Sequence, residues 1–287
     1  MRYEAPTTSS EAAALLAGAS GEAFVLAGGT DLLVRMKNMM IDPELVVDVK
    51  RITAMGTIEA TDDGGFRIGA AVPGVAIGEH EALGRAWPGI VEAVQLIGSD
   101  QIQGRCTIAG NLCNASPAAD TTPALVAADA HVMIVGPNGQ RTLPVAELAT
   151  GPGQTSLAKG ELVEAILLPP RPAHSGDAYL RFTPRTEMDI AVVGAGVSVT
   201  LSDGVVSAAR VALGAVAPTV IAVEPAAAAL VGSRLDDGAL DALVAACRAA
   251  CKPIDDKRGT AEYRTEVAGV LAKRAAMIAF ERAGGSR

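Results

Sequence analysis

Aromatic residues are scarce in this 287-residue chain, 3% of the total, with a single tryptophan, Trp87. The core must therefore come mostly from Ala, Val, Leu and Ile. Any flat ligand ring is expected to rest against aliphatic side chains, backbone or a partner protein. A basic excess is also missing: 24 Lys and Arg face 32 Asp and Glu, a net charge of −8. That balance argues against nucleic acid or an anionic membrane as partner, because both need a basic patch. Long apolar runs are absent too. The longest stretch, Val205 to Val231, is broken by Arg210, Pro218, Glu224 and Pro225 and cannot span a bilayer. No basic segment precedes an apolar run near Met1, so no secretory signal is expected and the protein reads as soluble and cytoplasmic. The four cysteines lack a compact ligand spacing. Cys106 and Cys113 are loosely spaced, and Cys247 and Cys251 share one face of an Ala-rich helix. Small buried thiols account for both pairs, and no metal site is expected.

What is present is apolar bulk and two glycine-bearing segments. A hydrophobic content of 49% in this length can bury a substantial core arranged as two or three subdomains. The segments are Ala27-Gly28-Gly29-Thr30-Asp31 and Thr107-Ile108-Ala109-Gly110-Asn111, each where an apolar run gives way to a polar turn. A loop that approaches a pyrophosphate must be thin and rich in outward N–H groups, and glycine provides both. Neither segment is a G-x-G-x-x-G or P-loop signature, so an ordinary Rossmann or NTPase site is not indicated.

Along the chain, Ser9 or Ser10 reads as the cap of an Ala-rich helix that runs to Ala17, with Glu11 in its first turn. Phe24-Val25-Leu26 is a strand, Leu32 to Lys37 a helical start favoured by Asp31, and Leu45 to Val49 a second strand. In a second zone, Phe66 to Val72 reads as a strand and Val75 to Leu83 as a helix. Trp87 to Leu96 has near-helical apolar spacing. Ala130 to Val135 is a strand ending at the Pro137-Asn138-Gly139 turn, Gly151-Pro152-Gly153 a loop, and Leu162 to Leu168 a strand. Pro169 to Pro172 and His174-Ser175-Gly176 form a linker. The last zone starts at Tyr179, with strands Ile190 to Leu201 and Ala208 to Val216 across an Asp203-Gly204 hairpin turn. Helices follow at Leu240 to Cys251 and Tyr263 to Arg282, giving an α+β module.

Both glycine segments, with Ser116-Pro117-Ala118-Ala119-Asp120 close behind the second, resemble the paired FAD loops of molybdenum-hydroxylase flavoproteins. These are the medium subunits of aerobic carbon monoxide dehydrogenases and their relatives, and the FAD segment of xanthine dehydrogenases. Ser99-Asp100-Gln101-Ile102, Thr150-Gly151-Pro152-Gly153, Gly160-Glu161-Leu162, Arg185-Thr186-Glu187-Met188-Asp189-Ile190-Ala191 and Ala261-Glu262-Tyr263-Arg264 extend the likeness over essentially the whole chain. The resemblance implies an α+β fold. A p-cresol-methylhydroxylase-type (vanillyl-alcohol-oxidase-like) FAD-binding domain would cover residues 1–175, in subdomains of about 1–55 and 56–175. A carbon-monoxide-dehydrogenase-type C-terminal domain, an antiparallel sheet with helices, would cover 176–287. Ala27, Gly28, Gly29, Thr30 and Asp31 would offer backbone donors to the FAD pyrophosphate, and Thr107, Ile108, Ala109, Gly110 and Asn111 would hold its other side. Asp120 would accept from ribityl hydroxyls or orient the loop. Leu162 would lie near the adenine. Asp189, balanced by Arg185, would approach the pyrimidine edge of the flavin.

Each assignment has a structural alternative. Gly28-Gly29 also suits a tight strand-to-helix turn; Asp31 and Asp120 suit helix caps, and the cap is favoured for the Asp31 side chain. Asn111 and Asn114 suit satisfaction of loop backbone groups, and Asp189 an ordinary bridge to Arg185. The implied function is that of an electron-transfer subunit with no catalytic residue of its own. A large molybdopterin subunit would oxidise substrate, a small subunit would carry two 2Fe–2S clusters, and electrons would leave through FAD to an external acceptor. A dimer of heterotrimers is the implied assembly. The alternatives are a stand-alone FAD enzyme similar to UDP-N-acetylenolpyruvoylglucosamine reductase, and a flavin-free scaffold subunit. The strand after Ala130 runs straight into its turn, without the cysteine-rich insertion of benzoyl-CoA-reductase-like members.

Overall fold

The computed structural model describes residues 1–286. Strand β1 (Arg2–Glu4) opens a three-stranded parallel sheet, and helix α1 (Ser9–Gly18) leads to β2 (Ala23–Leu26). After α2 (Leu32–Lys37), β3 (Leu45–Asp48) inserts between the two, giving the order β1-β3-β2. As the central strand, β3 has all four residues buried. It stops one residue short of the expected Val49, because the Asp48 carboxylate accepts from Lys50 N at 3.0 Å and turns the chain into a 3₁₀ turn. The cap of α1 is Thr8, not Ser9 or Ser10. Thr8 has extended dihedrals and its hydroxyl accepts from Glu11 N, while the two serines are already helical. The α1 face that carries Ala12, Ala13 and Leu16 is buried.

The second lobe is a five-stranded antiparallel sheet. It holds β4 (Ile58–Ala60), β5 (Phe66–Gly69), β6 (His131–Gly136), β7 (Gly139–Pro144) and β10 (Leu162–Leu168), in the order β4-β5-β10-β6-β7. The central β10 matches the sequence expectation in both ends. The strand expected to reach Val72 ends at Gly69. The single helix expected over Val75 to Leu83 is two, α3 (Gly74–Glu79) and α4 (Glu81–Ala86). His80 breaks it: its ψ of 92° leaves the helical region and its Nδ1 accepts from Leu83 N at 3.1 Å, capping α4. Then come α5 (Pro88–Gln95), α6 (Asp100–Gln103), α7 (Ile108–Cys113) and α8 (Thr121–Ala127). The second glycine segment, expected as a loop, is therefore mostly the entry of a helix. The Gly151-Pro152-Gly153 loop forms the tip of a small hairpin between β8 (Ala149–Gly151) and β9 (Gln154–Thr155).

The last lobe is a four-stranded antiparallel meander of β11 (Ser175–Phe182), β12 (Val193–Ser202), β13 (Val205–Gly214) and β14 (Ile221–Ala222). Asp203 and Gly204 have φ of 53° and 74°, which makes the expected two-residue hairpin turn. Helices α9 (Glu224–Leu230), α10 (Asp237–Ala250) and α11 (Ala261–Arg282) complete the module and share its hydrophobic core. The architecture mixes helix and sheet, as expected, with β12 beginning at Val193 and not at Ile190. No helix among the described residues is long and apolar enough to cross a membrane.

Strand β11 was not anticipated, and it forms the seam between the lobes. Its alternation sends Ala178, Leu180 and Phe182 toward the C-terminal core. Asp177, Tyr179 and Arg181 face the other way. Asp177 accepts from Gly89 N at 2.9 Å, and Arg171 lies 3.0 Å from its other oxygen. Tyr179 N donates to Glu92 at 3.0 Å, and Arg181 donates to the Leu96 carbonyl at 2.7 Å. The expected linker is thus anchored: the Arg171 guanidinium also lies 4.3 Å from the Trp87 ring centroid.

Candidate functional site

The two glycine segments meet in space. Gly28 follows β2 and lies against the backbone that leads into α7. A Cβ there would collide with the Arg105 carbonyl oxygen and lie 3.0 Å from Cys106 Cα, so the close approach requires glycine. Gly29 has φ of +79° and turns the chain toward α2, with its carbonyl accepting from Leu33 N at 3.1 Å. The N–H groups of Gly28, Gly29, Thr30 and Asp31 meet no acceptor among the described residues. They are free to donate to a ligand.

Across from them, Thr107 caps α7: its Oγ1 accepts from Gly110 N at 2.9 Å and its carbonyl from Asn111 N at 2.9 Å. The N–H of Ala109 stays unpaired. Between the segments runs a groove of about 360 Å³. Its lining includes Ala27, Gly28, Gly29, Thr30, Asp31, Thr107, Ala109, Gly110 and Leu162 from the sequence-derived set. The remaining walls are mainly apolar, from Val25, Ala70, Leu157 and Val163, and Phe24 is the one aromatic. That matches the aliphatic surroundings expected from the aromatic content.

Four of the expected residues lie elsewhere. Ile108 is fully buried below the groove. Asn111 Oδ1 accepts from Thr121 N at 3.2 Å and Thr121 Oγ1 at 2.7 Å, joining α7 to α8. Asp120 does not cap α8; its dihedrals are already helical, which points the carboxylate away from the helix entry. Its oxygens take Tyr179 Oη at 3.1 Å and Arg181 Nη1 at 2.9 Å, both in the seam. Asp189 is not among the groove-lining residues; it holds Arg185 and Arg258 at 3.2 Å each, and these partners keep its carboxyl below the usual range.

The expected cap role of Asp31 is also not made. With φ of −102° and ψ of −48° it is already helical, and a cap needs an extended backbone. Its carboxylate takes a long contact from Asn114 Nδ2 at 3.4 Å, a second tie between the segments. Sequence reading missed Arg35, Cys113 and Glu161 as groove residues and weighed Asn114 between a FAD contact and satisfaction of loop backbone groups. Arg35 had a signal: it sits one helical turn after Asp31. Burial pushes the Cys113 thiol up to about 12, so it presents no charge. Arg141 grips Glu161 through two bonds of 2.8 Å and holds its carboxyl below the ordinary value.

Open backbone donors, a free guanidinium and aliphatic walls fit a dinucleotide cofactor with a diphosphate. The model of the FAD binding domain in molybdopterin dehydrogenase matches residues 1–171. The chain belongs to this family. The model of the CO dehydrogenase flavoprotein C-terminal domain matches residues 178–279 of the same flavoprotein-family chain. The carbon monoxide dehydrogenase medium chain of Hydrogenophaga pseudoflava is 34% identical over 280 residues, 98% of this chain and 97% of that one. The xanthine dehydrogenase FAD-binding subunit of Escherichia coli O157:H7 is 30% identical over 284 residues, 99% and 97% of the two chains. A solved carbon monoxide dehydrogenase structure from H. pseudoflava superimposes with a TM-score of 0.94 at 35% identity, over 98% of each chain. Among the described residues no group of three His, Cys, Asp or Glu side chains could hold a metal.

Proposed function

We propose that this chain is the FAD-binding electron-transfer subunit of a molybdenum-containing hydroxylase. The carrying observation is the convergence of both glycine segments on one groove, with Gly28 pressed against Arg105 and the N–H groups of Gly28 to Asp31 left open. Those donors, with that of Ala109, would hold the diphosphate, and Thr107 would fix the wall that carries Ala109 and Gly110. Leu162 and Leu157 would pack against the apolar parts of the cofactor. Bound there, FAD supplies a carrier that accepts electrons singly and releases them singly or in pairs. The chain's own residues bind and orient it and supply no acid or base to a substrate.

The electrons would come from 2Fe–2S clusters of a small subunit, after substrate oxidation on a molybdopterin-binding large subunit, and leave to an external acceptor. A cytoplasmic dimer of heterotrimers is the proposed assembly. The fold is proposed to be of the p-cresol-methylhydroxylase type, divided at residue 175. The full-length relatives named for medium and FAD-binding subunits support the reading. An absorbance spectrum of the purified chain, with identification of released flavin, tests it. One FAD per chain and no oxidation of its complex's substrate by this chain alone are expected. A chain that stays apo even with partner subunits overturns the proposal in favour of a scaffold.

A further inference from the structure

The groove contains one charged group that neither the glycine segments nor the fold uses. Arg35 is the only cation among its lining residues, set on α2 one turn past Asp31. Its guanidinium lies 5.7 Å from the Phe24 ring centroid, and it has no ion pair or hydrogen bond among the described residues. An i, i+4 pair with Asp31 is within reach of helix geometry, yet Asp31 contacts Asn114 instead. The other charges on the groove are acidic: Asp31, and Glu161, which Arg141 already neutralises. Arg35 therefore stands against the remaining Asp31 charge, with Lys50 at the groove edge donating to the Ala27 carbonyl at 3.2 Å.

We propose that Arg35 is a diphosphate-binding residue of this subunit, an inference that rests on the flavoprotein reading above. A guanidinium presents several donors in a fixed plane and suits phosphate oxygens. Phe24 holds that plane at the groove wall, so little rotamer freedom is lost on binding. The open N–H groups of Gly28 to Asp31 orient the phosphates, and Arg35 offsets the Asp31 charge beside them.

The test uses the full chain stripped of ligand and titrated with FAD and, separately, with ADP, followed by flavin fluorescence and calorimetry. Arg35→Gln is expected to weaken both ligands at least tenfold, about 1.4 kcal/mol. It is also expected to flatten the dependence of affinity on salt. Arg35→Lys keeps the charge but not the planar donor fork, and is expected to recover only part of the loss. Arg35 has no hydrogen-bond or ion-pair partner among the described residues and only the Phe24 ring beside it, so unliganded melting temperatures of both variants should stay close to that of the parent chain. Parent-like ADP affinity in Arg35→Gln would overturn the assignment. A parent chain that binds neither FAD nor ADP would instead overturn the flavoprotein reading.

Discussion

The groove and the seam are both polar, and they treat polarity in opposite ways. In the seam the charged side chains of β11 meet partners from the second lobe and the segment that follows it. Asp177 faces Gly89 and Arg171, and Arg181 joins Asp120 and the Leu96 carbonyl. In the groove the N–H groups of Gly28 to Asp31 and the guanidinium of Arg35 have no hydrogen-bond or ion-pair partner among the described residues, Arg35 resting only against the Phe24 ring. Closed polarity holds two lobes in one relation, whereas open polarity waits for a ligand. Asp120 shows how the two are told apart. Its place near the second glycine segment suggests a cofactor contact, but its oxygens are already engaged across the seam.

The strongest way to break this division is Asp120→Ala. It strands the Arg181 guanidinium, whose side chain is 5% exposed, without a carboxylate. Breaking a buried pair from one side costs about 3–5 kcal/mol, read as a lower denaturant midpoint. The folded fraction should still bind FAD with parent affinity. A loss of FAD affinity in folded protein would move Asp120 back to the cofactor site. Gly28→Ala acts on the other side of the comparison. The added methyl must push the first segment off Arg105 and Cys106, an overpacking cost of about 1–3 kcal/mol, and the groove deforms with it. Purified Gly28→Ala should bind FAD at least about tenfold more weakly than the parent, a loss of about 1.4 kcal/mol. Parent-like affinity would show that the close approach serves the fold alone.

The seam also has a pH signature opposite in sign to that of Glu161 in the groove, whose carboxyl Arg141 holds low. Burial pushes the carboxyls of Asp120 and Asp177 up to about 6, against the pull of Arg181 and Arg171. Each starts from an ordinary value of 3.8 in the unfolded chain. Between those values the folded chain keeps protons that the unfolded chain has released. Stability should therefore fall as pH rises from about 4 to 6, then level off. Carboxyls held low, such as Asp48 and Asp189, lose their contribution only below that window. Asp120→Asn should flatten the slope of denaturation midpoint against pH, and an unchanged slope would remove Asp120 as its source.

Local signals were legible in the sequence, and pairings across the chain were not. Strand β10 and helix α2 were readable to the residue because apolar runs and turn residues bound them. The hairpin at Asp203-Gly204 was legible from its turn chemistry alone. The groove was visible through its glycines, since a thin backbone leaves that mark. Strand β11 escaped because its alternation mixes buried Ala, Tyr, Asp and Arg, which reads as neither an apolar run nor a half-buried strand. Its polar face is explained only by Asp120, Glu92 and Gly89, some sixty to ninety residues away, and no spacing rule connects them. The misplaced caps of α1 and α2 have a nearer cause. Thr, Ser and Asp all satisfy the same preference, and only the backbone dihedrals decide which residue stands just outside the helix.

The smallest expected effect is at Thr107, and it sharpens the comparison most, because this residue belongs to both kinds of polarity. Its hydroxyl is closed onto Gly110 N, yet it lines the open groove. Thr107→Val keeps the shape and removes the acceptor, at a cost of about 1 kcal/mol of stability as for other lost helix caps. If the grip on the diphosphate comes from Gly28 to Asp31 and Arg35, the FAD dissociation constant should change by less than about threefold, under ~0.7 kcal/mol. A much larger loss would mean that the entry of α7 orients the phosphates and the first segment only shapes the groove. Measuring denaturant midpoint and FAD affinity on the same preparation separates the two, since a cap lost from the fold moves the first quantity and a donor lost from the site moves the second.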